Sequence, residues 1–105
     1  MSQKGFSGKV KDLIDRATRG NAEDVDYILN HLNPDVTLSL TRFVDYALGL
    51  VESERGVARI EYFLFNGTQI QRNYCALFFN RRDDWQVVKK AYEAGLIDDI
   101  QAYAR

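Results

Sequence analysis

The chain has 105 residues, 46% apolar and 28% charged, with a formal net charge of −1. That is one domain of ordinary size, able to bury about 60–70% of the surface its unfolded form exposes, and the balanced charge excludes a disordered chain or a polycation held to nucleic acid by bulk attraction. A single cysteine, Cys75, excludes an internal disulfide, and no apolar run reaches the roughly 20 residues a spanning helix needs, so no membrane partner is expected.

Residues 1–8, with Gly5 and Gly8 and little periodicity, read as a flexible arm ahead of a single helical domain over residues 9–105. Met1-Ser2-Gln3-Lys4 leads into charged sequence without an apolar signal region, so a cytoplasmic protein is expected. Val10, Leu13, Ile14 and Ala17 recur at helical spacing until Gly20, and Asn21 then caps a second helix with buried stripe Val25, Ile28, Leu29 and Leu32. Asn33-Pro34-Asp35 breaks the pattern, because proline lacks a donor and forces the preceding residue out of helical geometry. After a loop to Ser39, Leu40, Phe43, Val44, Ala47, Leu48 and Val51 predict a third helix. Ser53-Glu54 or Gly56 marks the break before a fourth, Val57, Ile60, Phe63 and Leu64, closed by Gly67.

Three short sequences in the second half, Thr68–Gln71, Asp83–Gln86 and Asp98–Gln101, have a Thr or Asp followed three positions later by Gln, at an even stride of 15 residues. In such a pair the first side chain accepts from a backbone N–H of the first helical turn and the Gln reaches back to the cap residue's own N–H. They predict a fifth helix with stripe Ile70, Tyr74, Leu77 and Phe78, a sixth with Val88, Ala91 and Tyr92, and a short last one with Ile97, Ile100 and Tyr103. On the fifth, Gln69, Arg72, Asn73 and Asn80 project away from the stripe, and Cys75, Phe79 and Arg82 form a flank. No segment alternates with period two long enough to be a strand. The expectation is an all-α chain of about six to seven helices in stacked antiparallel hairpins, an α-solenoid, with an irregular helical bundle as the alternative.

Laid over one another, Leu13 to Leu32, the stretch around Ile60 to Gly67, and Ala76 to Gly95 each show helical pattern ending in a breaker. Val87-Val88-Lys89 and Glu93-Ala94-Gly95 fall where the ankyrin-repeat family has its second-helix Val-Val-Lys and terminal Glu-Ala-Gly, and Leu13 to Ala17 precedes Gly20-Asn21 at that family's Gly-His turn. With Arg59 to Gly67, the chain resembles a degenerate ankyrin-repeat or HEAT-like protein over most of residues 10–95. The family's Thr-Pro-Leu-His opening is absent, Asp83 stands in place of its turn glycine, and the second-helix ends are 35 and 28 residues apart against a period of about 33. The resemblance implies a scaffold that binds other macromolecules.

Chemistry has few candidates. His31, the only histidine, lies at a helix end where an imidazole can meet unsatisfied carbonyls. Cys75, among Tyr74, Ala76, Leu77 and Phe78, reads as a packed thiol. Asp83-Asp84 and Asp98-Asp99 each open a predicted helix, where the dipole favours negative charge. Gly5-Phe6-Ser7-Gly8 lacks the lysine of a phosphate loop. No metal ligand set, cofactor motif or catalytic residue is identified, so the chain is expected not to be an enzyme.

Between Arg55 and Arg82 the chain carries five arginines against Glu61 alone, interleaved with aromatics. Arginine with aromatics serves both protein hot spots and single-stranded nucleic-acid grooves. The expected function is a protein-interaction module, a small adaptor or regulator, with Arg59, Arg72, Arg81 and Arg82 as charged anchors and Tyr62, Asn73 and Trp85 as contacts. The alternative is a nucleic-acid-binding helical repeat whose arginines neutralise phosphates, and the remaining reading is that these arginines are a solvated rim over core aromatics. The short last helix has to cover Trp85, Val88 and Tyr92, and incomplete cover would leave an apolar C-terminal face open to pairing in a homodimer.

Overall fold

The structure, a computed structural model, describes residues 8–105. The predicted arm lies outside the described residues except for Gly8, which opens the first helix. Seven helices and no strand occur among the described residues: α1 (Gly8–Arg19), α2 (Ala22–Leu29), α3 (Leu38–Leu48), α4 (Glu54–Asn66), α5 (Gln69–Arg81), α6 (Trp85–Glu93) and α7 (Asp99–Tyr103). The chain divides into two compact units, one reaching to Arg59 and one of Ile60–Arg105, the boundary falling within α4. In the first, α1, α2 and α3 pack on one another; in the second, α5, α6 and α7 do.

In the first unit α1 ends at Gly20, which takes the left-handed conformation (φ 68°) and donates its N–H to Arg16 O at 2.9 Å. The chain then folds back as an antiparallel hairpin, so the start of α1 meets the end of α2. The Tyr27 hydroxyl donates to Asp12 and accepts from Lys9 Nζ at 3.1 Å, and the Arg16 guanidinium lies 4.0 Å from the Tyr27 ring centre. Asp24, buried near the start of α2, accepts from the Asn21 N–H and from Arg19 Nη2, both at 3.1 Å. Burial opposes its ionisation, but the Arg19 and Asn21 hydrogen bonds and the charges of Arg19 and Arg16 outweigh it and hold the carboxyl below the usual range. Leu13, Ala17, Val25, Ile28, Leu29, Val44, Ala47 and Leu48 form the core beneath.

The third helix begins two residues earlier than its apolar pattern, because Thr37 Oγ1 accepts from Leu40 N–H at 3.1 Å and so caps a helix from Leu38. Leu32 and Val51 are buried but lie just beyond the ends of α2 and α3, each carried by a turn hydrogen bond. Phe43, expected in the stripe, is 42% exposed, since Thr41, Val44, Ala47 and Leu48 define the inward side. Ser53 resolves the break before α4. Its hydroxyl accepts from Gly56 N–H at 3.1 Å as the helix cap and donates to Gly20 O at 2.6 Å. Gly56 therefore lies inside α4, not at a boundary, and backbone meets backbone there: a Cβ at Gly56 would stand 2.5 Å from Val51 Cγ1 and 2.9 Å from Gly20 O.

In the second unit two of the three predicted capping pairs form. Gln71 N–H donates to Thr68 Oγ1 (3.3 Å) and Thr68 N–H to Gln71 Oε1 (2.9 Å); at α7 the corresponding distances for Asp98 and Gln101 are 2.8 and 2.9 Å. The third pair, Asp83–Gln86, does not form. Asp83 takes the left-handed conformation (φ 59°) and closes α5 instead: its N–H donates to Asn80 O at 3.0 Å and the Asp84 N–H to Phe79 O at 2.9 Å, the two bonds of a Schellman motif. Asp84 precedes α6 without a side-chain cap bond. Gly95 (φ 77°) ends α6 with the same pair of bonds, to Tyr92 O and Ala91 O.

The inward side of α5 also differs from its predicted stripe. Gln71, Cys75, Ala76, Phe78, Phe79 and Asn80 are buried, while Ile70, Tyr74 and Leu77 are half-buried. Asn80 is inside because its amide Nδ2 donates to Ala102 O (2.9 Å) and Ala104 O (2.8 Å), satisfying the C-terminal carbonyls of α7. This bond joins the last turn of α5 to the last turn of α7, and the first turns of the two helices line one groove, so they run side by side in the same direction. A shift of 63 residues superposes features of the two hairpins: Gly20 on Asp83, both left-handed, and the buried Leu13, Ala17, Val25 and Ile28 on the buried Ala76, Asn80, Val88 and Ala91.

Two measurements test these accounts. Helix propensity alone makes Gly56→Ala stabilising by about 1 kcal/mol, whereas the close approach at Gly20 and Val51 predicts a loss of about 1–3 kcal/mol from overpacking, read as a lower denaturant midpoint at unchanged slope. For Asp24 the folded-state pKa is lowered, so its contribution is complete above the unfolded value and is lost as pH falls through the folded one. The stability gap between wild type and Asp24→Asn is accordingly expected in full at neutral pH and closes below about pH 4.

Candidate functional site

The short helix α7 sets the surface chemistry of the second unit. Five residues are too few for a helix to persist alone, so its first turn is held by the Asp98–Gln101 capping pair and its orientation by Asn80. Together these turn Gln101 and Ala102 inward and leave Ile100 80% and Tyr103 64% exposed. The predicted stripe of Ile97, Ile100 and Tyr103 is thus corrected: Ile97 is buried ahead of the helix, and the other two face out.

Beside Ile100 an open groove of about 500 Å³ runs between α5 and α7, lined by Gln69, Ile70, Asn73, Tyr74, Asp98, Ile100 and Gln101. Its walls are aliphatic and aromatic, and its polar groups are mainly amides. The Asp98 carboxylate accepts from the Gln101 N–H, and Gln101 Oε1 accepts from the Asp98 N–H. Such a lining offers apolar surface beside amide donors and acceptors. On the other flank of α7, Trp85 stacks on Tyr103 with ring centres 5.4 Å apart and planes 26° from parallel, and the Tyr92 hydroxyl donates to Asp99 Oδ1 at 2.5 Å, which raises the phenol's pKa.

Within the second unit the sequence-predicted contact residues do not converge on one patch, and Arg59 belongs to the first unit. Arg59, in the first unit, is held by Asp26 through two parallel bonds, Nε–Oδ1 at 2.6 Å and Nη2–Oδ2 at 3.1 Å. Tyr62, on α4, packs edge-on against Phe63. Arg72 donates from Nη2 to Phe65 O at 3.3 Å, and its Nε is buried without a hydrogen-bond partner among the described residues. Arg81 lies nine residues further along α5, which is about 14 Å along the axis and on the opposite side. Arg82 sits beyond the helix end with its guanidinium 5.0 Å from the Phe78 ring centre. Asn73 enters the α5–α7 groove, and Trp85 belongs to the aromatic stack. Ile70, Tyr74 and Ile100, which build the groove, belong to the stripes that sequence periodicity assigns to the core. No local signal marks Ile100, since what orients α7 on α5 is the bond from Asn80, 22 residues away.

The other chemical candidates occupy structural positions. His31 Nδ1 lies 2.8 Å from Tyr27 O, a geometry that places the proton of the neutral ring on Nδ1. Cys75 is fully buried, and burial pushes its thiol pKa well up. Asp98 caps α7 and Asp99 starts it. Among the described residues no group of three or more His, Cys, Asp or Glu side chains is arranged to hold a metal ion, and no helix is long and apolar enough to cross a membrane.

No family model, curated protein or solved structure matches this chain. Cys75 offers a direct check of the packing around α5: a thiol reagent is expected to leave it unmodified in the folded protein and to label it on the timescale of unfolding, so rapid native-state labelling would contradict a sealed core.

Proposed function

We propose that this chain is a non-enzymatic protein-interaction module, a small adaptor or regulator on a degenerate ankyrin-like or HEAT-like helical-repeat scaffold, that seats a segment of a protein partner in the α5–α7 groove. The observation that carries this reading is the exposure of Ile100 at a groove that also presents Ile70, Tyr74 and the amides of Gln69 and Asn73. A large aliphatic side chain held outward by a cap and a buried amide is an anchor for an apolar residue of the partner, and the amides around it suit a main chain. The scaffold reading is supported by the 63-residue correspondence of the α1–α2 and α5–α6 hairpins and by α7 running parallel to α5, as the first helix of a following hairpin does. A cytoplasmic location belongs to the same reading, since a lone buried thiol makes no demand for an oxidising compartment.

The test is affinity capture from the native host's extract with and without nuclease, using wild type, Ile100→Asp with Asn73→Ala, and Arg72→Ala with Arg81→Ala and Arg82→Ala. A specific protein that survives nuclease and is bound at least about tenfold more weakly by the groove variant is the expected result. Loss confined to the arginine variant would move the contact to the ends of α5. Recovery of nucleic acid alone, with affinity falling steeply as salt rises, would replace the protein partner by a phosphate backbone.

A further inference from the structure

At Gln69, Asp98 and Gln101 the α5–α7 groove adjoins a second recess of about 320 Å³, lined also by Arg72 of α5 and by residues 95–97 of the turn after α6. Its arginine is an exception in this chain. Three arginines are half-buried among the described residues: Arg16 pairs with Asp12 and Asp24, Arg59 pairs with Asp26, and Arg72 pairs with no carboxylate. Of the five N–H groups of its guanidinium, one on Nη2 donates to Phe65 O at 3.3 Å, and Nε is enclosed without a partner. A cation that has given up part of its water without gaining a counter-charge is unfavourably placed, and an anion at its open side relieves that cost. Arg72 stands in the opening turn of α5, where the helix dipole adds to its charge. Asp98 is the one acidic residue of the lining, and its Oδ1 accepts from the Gln101 N–H as the cap of α7. With Lys90, Glu93 and Asp99 on the adjoining turns, the neighbourhood carries no excess of positive charge. Long-range attraction of a polyanion is therefore absent, and short-range hydrogen bonding to a single planar carboxylate is what the recess offers.

We propose that the groove takes a peptide segment carrying both an apolar and an acidic residue, the apolar side chain against Ile100 and the Asp or Glu carboxylate on the terminal amino groups of Arg72. This rests on the groove reading above and adds the partner's chemistry to it. The enclosed Nε leaves the Nη groups as the donors an incoming carboxylate meets. Because recess and groove share three lining residues, an extended chain at about 3.3 Å per residue reaches both with side chains a few positions apart. The apolar contact supplies burial, and the carboxylate, met by a charge that has no other partner, supplies selectivity and register.

The probe is a random peptide library selected on the immobilised full chain. Wild type is expected to enrich sequences that hold a large apolar residue and an Asp or Glu at a fixed separation. Replacing that acid by its amide in the best peptide is expected to weaken binding to wild type about tenfold and to leave binding to Arg72→Gln unchanged, a double-mutant cycle that assigns the acid to this arginine. Each ratio is taken within one protein, so a loss of stability from breaking the bond to Phe65 O does not imitate the effect. Arg72→Lys, which keeps the charge without the planar fork, is expected to retain part of the preference. Apolar enrichment that disappears on Ile100→Asp but carries no acidic preference overturns this proposal and leaves the groove reading standing. Enrichment of basic residues instead would assign the contact to Asp98 and overturn it as well. Selection of nothing above background, or of peptides that bind Ile100→Asp equally well, overturns both.

Discussion

The constraint on which this structure depends is the satisfaction of helix ends. Its helices are 5 to 13 residues long, and every helix leaves four N–H and four C=O groups without intrahelical partners, so end groups make up a large share of the backbone. The chain meets this with a few side chains that each serve two places. The Ser53 hydroxyl caps α4 and binds the carbonyl of Gly20 at the end of α1. The Asp24 carboxylate accepts from the Asn21 N–H at the start of α2 and from Arg19 in the last turn of α1. Asn80, near the end of α5, takes up the carbonyls of α7. Because each link fixes two elements, the packing of helices within a unit follows from the way their ends are closed.

The same logic separates what was legible in the sequence from what was not. Thr68 and Asp98 could be read as caps because the Gln three residues on completes a local pair that needs nothing from elsewhere. Asp83 has the same local signature and behaves differently, because α5 runs on to Arg81 and needs a left-handed residue to stop it, a position that Asp tolerates. Two roles competed for one residue, the cap of the following helix and the stop of the preceding one, and the demand of the preceding helix decided between them. The second bond of Ser53 and the bonds of Asn80 were beyond reach for another reason. Their partners lie 33 and 22–24 residues away, and a polar residue whose bond is closed at that distance looks like surface to any local pattern.

The arginines show the converse error. A window from Arg55 to Arg82 holds one acidic residue, yet Arg59 is neutralised by Asp26, which lies outside it. Counting charge within a window measures the surface only when ion pairs are local, as they are for Lys11 and Asp15. Spacing along α5 does the rest, since nine residues place Arg72 and Arg81 on opposite sides of the helix. Of the contact residues named from sequence, Asn73 and Trp85 lie on the two surfaces flanking α7, and the apolar residues that give those surfaces their character had been assigned to the core by helical periodicity.

That assignment failed at α7 for an energetic reason that bears on function. Burying Ile100 and Tyr103 in place of Gln101 and Ala102 would gain about 1.5–3 kcal/mol for each large apolar side chain taken out of water. It would require rotating the helix, which withdraws the Ala102 and Ala104 carbonyls from Asn80. A buried hydrogen bond left unmade costs about 1–3 kcal/mol, so the two Asn80 bonds are comparable in size with the apolar gain and favour the outward display. The arrangement leaves α7 with two large side chains in water and a polar network beneath them, a combination that stabilises the unit only moderately in isolation and becomes more favourable when the exposed pair is covered. A partner seated in the groove, as proposed, would cover Ile100, and the free energy withheld from folding would then be available for binding.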